Sequence, residues 1–296
     1  MTFEQLTIFV AVAERQHVTR AADALGLTPS AVSAAIKALE NFYNVSLFDR
    51  VGRGIRLTRA GVIFLQEARE TLARAKAASL VLSELGGLKR GTLEVQASQT
   101  VASYWLPPRL MRFHERYPEI DIRLQVGNTD TVSRAIRDGA ADMGFIEGEI
   151  DEPALSKIMV GSDEIGIIVD AASPLATLPA GEAIDELRKT RWIMREKGSG
   201  TRSVFESAIA TLGLESDRMS IALILPSNES ILTALIGSSC AAAVSKAAAE
   251  PFVATGRLRL LDLALPPRRF YALCHKERHL SRAAHEFLHL CGGNLG

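Results

Sequence analysis

Phe3, Leu6, Phe9, Val10 and Ala13 fall on one face of a helix, and the same spacing of three and four returns in Val32, Ala35, Ile36 and Leu39. Between them Arg20–Leu25 predicts a short second helix that Gly26 breaks. Thr28 suits an N-cap and Pro29 a first helical position, so the third helix is expected over Thr28–Tyr43. Ala22 lets two helices approach, Gly26 turns the chain and Val32 fills the angle, which is the layout of a helix-turn-helix. Ser30, Ser33, Ala34 and Lys37 then share the outer face of the third helix, as suits a helix that enters a DNA major groove. Val45–Phe48 and Ile55–Leu57 read as strands around a Gly52–Gly54 turn, forming a β wing.

Thr58 is placed to cap a long helix. There Phe64, Ala68, Leu72, Ala75, Leu82 and Leu85 form a narrow apolar seam, and Glu67, Arg69, Glu70, Arg74 and Lys76 charge the other face. Such a seam predicts pairing with a partner helix, which would present two recognition helices on a two-fold DNA site. Packing on its own domain is the plainer alternative. Gly86, Gly87 and Gly91 mark a flexible boundary. Beyond it short β-type runs alternate with helical runs, the pattern of an α/β domain. Strands are expected at Thr92–Ala97, Ile120–Val126, Asp142–Phe145 and Phe270–Cys274. Helices are expected around Leu106–Arg116, Thr131–Asp138 and Ser281–Cys291.

The chain has 296 residues, 47% hydrophobic and 23% charged, which is enough apolar material for more than one folded domain. The 34 basic and 34 acidic residues cancel, so distribution matters more than net charge. Arg50, Arg53, Arg56 and Arg59 follow one another with no acid among them, directly after the helix-turn-helix, which points to phosphate contact. No basic n-region with a cleavage site and no long apolar run appears, so neither a signal peptide nor a membrane span is expected. Three cysteines suit a reducing cytoplasm. No G-x-S-x-G elbow, P-loop or G-x-G-x-x-G is present, and the chain is expected not to be an enzyme.

Cys274, His275, His279, His285, His289 and Cys291 crowd the C-terminal end. His285 and His289 have metal-ligand spacing, yet no CxxC or HExxH accompanies them. Core packing of Phe287, Leu288 and Cys291 with solvated histidines explains the pattern better, so no metal and no cofactor are expected. Cys240 either lines a cleft or is a small buried residue.

The run Ala21-Ala22, Leu25, Leu27 to Ser33, Ile36, Leu39-Glu40, Leu47 to Arg50 and Leu57 to Gly61 resembles the LysR-type transcriptional regulators, and the resemblance covers essentially the whole chain. Ala34 and Ala35 depart from it, since many relatives have a longer polar residue there. The resemblance implies an α + α/β fold: an N-terminal winged helix-turn-helix, a long linker helix, and a C-terminal two-subdomain effector domain like the periplasmic solute-binding proteins. Its boundaries would be 1–58, 59–88 and 91–296, with one subdomain at about 91–160 and 266–296 and the other at about 161–265.

Thr28, Pro29, Ser30, Ser33, Ala34, Lys37, Arg50, Arg53 and Arg56 would contact double-stranded promoter DNA. In sheets of this kind ligands bind at strand C-terminal ends near helix N-termini. Those ends carry Ser98, Gln99, Thr100, Asn128, Thr129, Glu147, Arg195, Ser199, Thr201, Arg202 and Asn228. Arg195, Lys197 and Arg202 add positive charge, and Gly198 and Gly200 let backbone approach a ligand. A small anionic effector is therefore expected: a carboxylate, a sugar phosphate or an inorganic oxyanion; the resemblance adds an oxyanion of sulfur as one option. The resemblance further implies a cytoplasmic homodimer through the linker helix, assembling as a homotetramer, with RNA polymerase a further partner. The alternatives are a solute-binding protein with no DNA role, and a metal- or redox-responsive regulator using the C-terminal Cys/His cluster.

Overall fold

A computed structural model describes residues 1–51, 54–85 and 91–293. The chain divides into two compact units, one of residues 1–87 with 138–140 and the other of residues 88–137 and 141–296.

In the first unit Thr2 and Gln5 form a reciprocal capping box that starts helix α1 (Phe3–Arg15). Helix α2 (Val18–Leu25) stops at Gly26, whose φ of 65° is a left-handed conformation that other residues adopt at a cost. Thr28 Oγ1 accepts the Ala31 N–H at 3.2 Å and starts helix α3 (Pro29–Tyr43). Ala21, Ala22 and Val32 are fully buried where α2 meets α3, and Leu6, Phe9, Val12, Ile36 and Leu39 complete the core.

The wing is an antiparallel hairpin of β1 (Phe48–Val51) and β2 (Gly54–Leu57), in register Phe48↔Leu57. The sequence places its first strand at Val45–Phe48, three residues earlier than observed. Glu40 explains the difference. Its backbone carbonyl accepts the Val45 N–H at 3.0 Å, and its side chain accepts the N–H groups of Leu47 at 2.6 Å and Phe48 at 3.1 Å. The end of α3 thus engages donors that a strand partner would otherwise take. The turn residues Gly52 and Arg53 lie outside the described residues.

Thr58 Oγ1 accepts the Gly61 N–H and opens helix α4 (Arg59–Leu85). The predicted seam divides. Ala68 is buried, and Phe64, Leu65 and Leu72 pack on the core of this same unit, with the Phe9 and Phe64 rings 4.8 Å apart. Leu82 is 71% exposed, and Val62 and Ile63 also face outward. A helix of 27 residues is about 40 Å long, and its first turns are the part that packs on this core. The side chain of Leu85 and the expected boundary glycines Gly86 and Gly87 lie outside the described residues.

The second unit holds two α/β lobes. The first lobe begins with β3 (Gly91–Ser98), a π-helical turn Val101–Trp105, α5 (Pro107–Arg116), β4 (Ile120–Gly127), α6 (Thr129–Asp138), β5 (Met143–Glu147) and β6 (Leu155–Asp163). The second lobe contains β7 (Ile165–Asp170), α7 (Ala180–Leu187), β8 (Arg191–Arg195), α8 (Gly200–Ala208), β9 (Ser220–Leu225), α9 (Asn228–Leu235), β10 (Ala241–Ser245), α10 (Lys246–Ala254) and β11 (Leu258–Leu260). The chain then returns to the first lobe in β12 (Arg268–His275) and α11 (Arg282–Leu290).

The sheet orders are β4-β3-β5-β12-β6 and β11-β7-β10-β8-β9. Parallel pairing of β3 with β4 and β5, and of β8 with β9 and β10, gathers strand C-terminal ends where the lobes face each other. The first lobe keeps the chain beyond the expected boundary near 161, because β6 pairs with β12 as far as Arg268↔Asp163. The crossing falls at Glu164 instead. Gly91, expected in a flexible boundary, pairs with Ile120 in β3. No described helix is long and apolar enough to cross a membrane.

Replacing Glu40 by Ala leaves two part-buried N–H groups without their acceptor. The winged unit should lose about 1–3 kcal/mol, read as faster amide exchange at Leu47 and Phe48 in the variant. Unchanged exchange at those two amides would count against this role of Glu40.

Candidate functional site

Two surfaces collect the residues singled out in the sequence. On the first unit Thr28, Pro29, Ser30, Ser33, Ala34 and Lys37 are all exposed along the N-terminal half of α3, while Val32, Ile36 and Leu39 hold its opposite side in the core. Arg50 and Arg56 are exposed on the two wing strands. Among the described residues neither they nor Lys37 forms an ion pair, so these three cations stand unpaired on the outer surface of this unit. Arg53, the fourth cation assigned to DNA contact, lies outside the described residues.

The second surface is the junction between the two lobes. Ser98, Gln99, Thr100, Thr129 and Glu147 come to it from the first lobe, and Arg195, Ser199, Thr201 and Asn228 from the second; all nine are buried. They bond one another across the junction. Gln99 Oε1 accepts the Asn228 N–H at 3.2 Å and an Arg195 N–H at 3.3 Å. The Asn228 side-chain amide donates to Thr100 Oγ1 at 3.0 Å, and the Thr100 and Thr201 hydroxyls lie 3.5 Å apart. Glu147 accepts from Ser98 and, at 3.3 Å, from Thr201. At the junction's edge the Asn128 amide donates to Glu196 at 3.3 Å, and the same residue's Oδ1 accepts the Thr131 N–H in the first turn of α6.

Gly200, expected to admit a ligand, here admits the opposite lobe: a Cβ on it would sit 2.2 Å from the Glu147 carbonyl oxygen and 2.6 Å from Thr129 Oγ1. Arg202 does not join the set. Its guanidinium donates to Glu206 at 2.8 Å and to the Arg195 carbonyl at 3.1 Å, both within its own lobe.

Sequence reasoning missed Arg268, the residue at the centre of this junction. Its side chain is fully buried, donates to Thr201 Oγ1 at 2.8 Å and to Asp163 at 2.7 Å, and lies 3.6 Å from Glu147. It opens β12, a strand that the hydropathy pattern does reveal, but position 268 gains its partners only when β12 pairs with β6. Tyr104 and Glu229 were missed as well. The Tyr104 hydroxyl donates to Glu229 at 2.7 Å, and the Gln99 amide donates to the same carboxylate. Burial raises the Tyr104 phenol, and the Glu229 carboxylate beside it adds to the rise. Burial alone would raise Glu229 too, but donors led by Tyr104 outweigh it and hold the carboxyl below its ordinary value.

The charge at the junction is not the positive one expected. Arg195 pairs with Glu196 at 2.9 Å and Arg268 with Asp163, and Glu147 is buried beside them, so both buried guanidiniums are already paired. Three buried polar atoms there lack a hydrogen-bond partner: Ser199 Oγ, Asn228 Oδ1 and Arg268 Nε. Ser199 is the N-cap residue of α8, yet its side chain caps nothing.

The C-terminal cysteines behave as core residues. Burial pushes both the Cys274 and the Cys291 thiols up to about 12, so the reactive thiolate is scarce at neutral pH. His285 and His289 are exposed, and no metal-holding group of side chains occurs among the described residues. Cys240 is buried, with its N–H donated to Ser238 Oγ at 3.2 Å.

Residues 3–62 match the family model for the bacterial regulatory helix-turn-helix protein of the lysR family, and residues 86–296 match that for the LysR substrate binding domain. The uncharacterized HTH-type transcriptional regulator YeiE of Escherichia coli K12 is 31% identical over 296 residues, covering 98% of this chain and 97% of that protein. Full-length OxyR from Pseudomonas aeruginosa superimposes with a TM-score of 0.71 at 19% identity, covering 98% of this chain and 94% of that one. CbnR complexed with its target DNA gives 0.66 at 20% identity, covering 99% of both chains. At those identities the two structures speak to the fold alone.

Removing one member of a buried ion pair leaves the other uncompensated. Arg268→Ala should therefore destabilise the effector unit by roughly 3–5 kcal/mol, read in urea unfolding of the purified chain; a loss under about 1 kcal/mol would assign the pair no more weight than a surface one. Iodoacetamide at pH 8 should leave Cys274 and Cys291 unmodified in the folded chain and label both in urea. Rapid labelling of the folded chain would restore the redox alternative.

Proposed function

This chain belongs to the LysR family of transcriptional regulators, and we propose that it reads promoter DNA with the exposed face of α3 and answers to a small anion bound between its two α/β lobes. The exposure of Ser30 to Lys37 on a capped, well-anchored helix is the observation that carries the DNA half of this reading. In it Thr28, Pro29, Ser30, Ser33, Ala34 and Lys37 meet the major groove, and Arg50, Arg53 and Arg56 of the wing meet phosphates. The N-terminal unit is then residues 1–58, α4 links it, and the effector domain follows from 91.

The effector half rests on the junction. Unpartnered buried polar atoms are rare in folded proteins and each costs about 1–3 kcal/mol, so three of them around one network favour a missing ligand. The Ser199 hydroxyl at the start of α8 and the Arg268 guanidinium supply donors for a carboxylate, a sugar phosphate or an inorganic oxyanion. Ser98, Gln99, Thr100, Asn128, Thr129, Glu147, Arg195, Ser199, Thr201 and Asn228 form the site, with Arg202 holding the Arg195 backbone from behind.

Val62, Ile63 and Leu82, exposed along α4, support pairing of linker helices in a homodimer, with a homotetramer as the working assembly. A regulator of this kind acts in the cytoplasm, where promoter DNA and RNA polymerase are found.

Lys37→Ala and Arg50→Ala should each weaken DNA binding in gel-shift titrations, and Arg50→Ala should reduce the salt slope by about one unit irrespective of sequence. An unchanged slope would remove Arg50 from the phosphate contacts. Thr100→Ala and Thr201→Ala should blunt the response to a ligand found by thermal-shift screening against small anions, while DNA affinity in its absence stays within about twofold. Normal responses in both variants would move the site elsewhere.

A further inference from the structure

Asn228 opens α9 with no exposed surface, and only one of its two side-chain atoms has a partner. Which atom it is follows from the bonds around it. Glu147, paired with Arg268, can only accept, and it accepts the single hydrogen of Thr201. Arg268 can only donate, and it donates to the same Thr201 oxygen. The Thr100 hydroxyl is therefore left to donate toward Thr201 and to accept from the Asn228 NH₂. Every hydrogen in the series Asn228, Thr100, Thr201 points toward Glu147. The direction is imposed by the carboxylate, and it fixes Asn228 Oδ1 as the free atom, an acceptor with no donor. Arg268 Nε, a donor with no acceptor, belongs to the same series through Thr201, and Ser199 Oγ, two residues before Thr201, can serve either role.

We infer, building on the reading of this junction as the effector site, that the effector is an anion carrying its own O–H or N–H: a protonated oxyanion or a hydroxy- or amino-carboxylate, and not a fully deprotonated oxyanion. Its anionic oxygen takes the Arg268 Nε–H. Its own hydrogen goes to Asn228 Oδ1, which makes Asn228 the specificity-determining residue. An anion with acceptors alone would set lone pair against lone pair at Asn228 and meet two guanidiniums already paired with carboxylates. A site built to receive a ligand hydrogen rejects the analogue that lacks it far more strongly than a pocket rejects a missing methylene.

The test uses the full-length chain, calorimetric titration at pH 7 and matched pairs of anions that differ in the protic group: phosphate against sulfate for the oxyanion source, glycolate against acetate and lactate against propionate for the carboxylate source. In any pair that binds, the protic member should bind at least about 100-fold more tightly. In Asn228→Ser, whose hydroxyl can turn to donate, that ratio should fall at least tenfold; if circular dichroism shows this variant unfolded, the ratio for the unmodified chain decides alone. Sulfate, acetate or propionate binding as tightly as its partner overturns the inference and leaves the anion site standing. Heat from no member of any pair removes the anion reading itself, and the inference with it.

Discussion

A guanidinium with no exposed surface ties the two lobes of the effector unit together. Arg268 stands where the chain returns from the second lobe, and Asp163, its partner at 2.7 Å, stands where the chain leaves the first. Both crossing points are thus fixed by one ion pair. The same guanidinium reaches Thr201 across the junction and neighbours Glu147. A buried pair of this kind need not add net stability over an apolar replacement of the same shape. Its consequence here is positional: it sets where Thr201 sits, hence which way the junction's hydrogens run, hence which atoms stay free for a ligand.

The junction is held by hydrogen bonds from both lobes. The bonds from Gln99 and Tyr104 to Glu229, and from Asn128 to Glu196, join groups that water can satisfy when the lobes part. Parting would exchange these bonds for bonds to water, and closure would cost the freedom of the lobes. A ligand that fills the unpartnered donor and acceptor adds differential binding to the closed state, and only differential binding shifts such an equilibrium. Couplings of about 1–3 kcal/mol, or roughly 5–150-fold in affinity, are typical of sites that communicate this way.

The winged unit solves a different problem. Its recognition face must be polar, small and free, so the helix that bears it has to be held from behind. Val32, Ile36 and Leu39 do this through the core, and Glu40 does it through the wing by accepting the backbone hydrogens of Leu47 and Phe48. The wing cations are positioned by the same carboxylate, which explains why the first strand begins at Phe48 rather than at Val45.

The helix-turn-helix was legible in the sequence because every signal is local: Gly26 for a left-handed turn, Thr28 for a cap, Val32 one turn into the next helix. The alternation of β and helical runs was legible for the same reason, as were the strand ends that carry Ser98 to Thr100, Thr129, Glu147, Thr201 and Asn228. Strands buried on both faces, such as β7 and β10, show no alternation and leave no period to read. The division of the α4 seam was invisible because a helical stripe does not say what covers it. Arg268, Asp163, Tyr104 and Glu229 became a network only on folding, because their partners lie between 67 and 130 residues away in the chain. Local sequence determined which residues could cap, turn and recognise; the tertiary structure alone decided which charges cancel, since Coulomb attraction and hydrogen bonding depend on distance in space and not on separation along the chain.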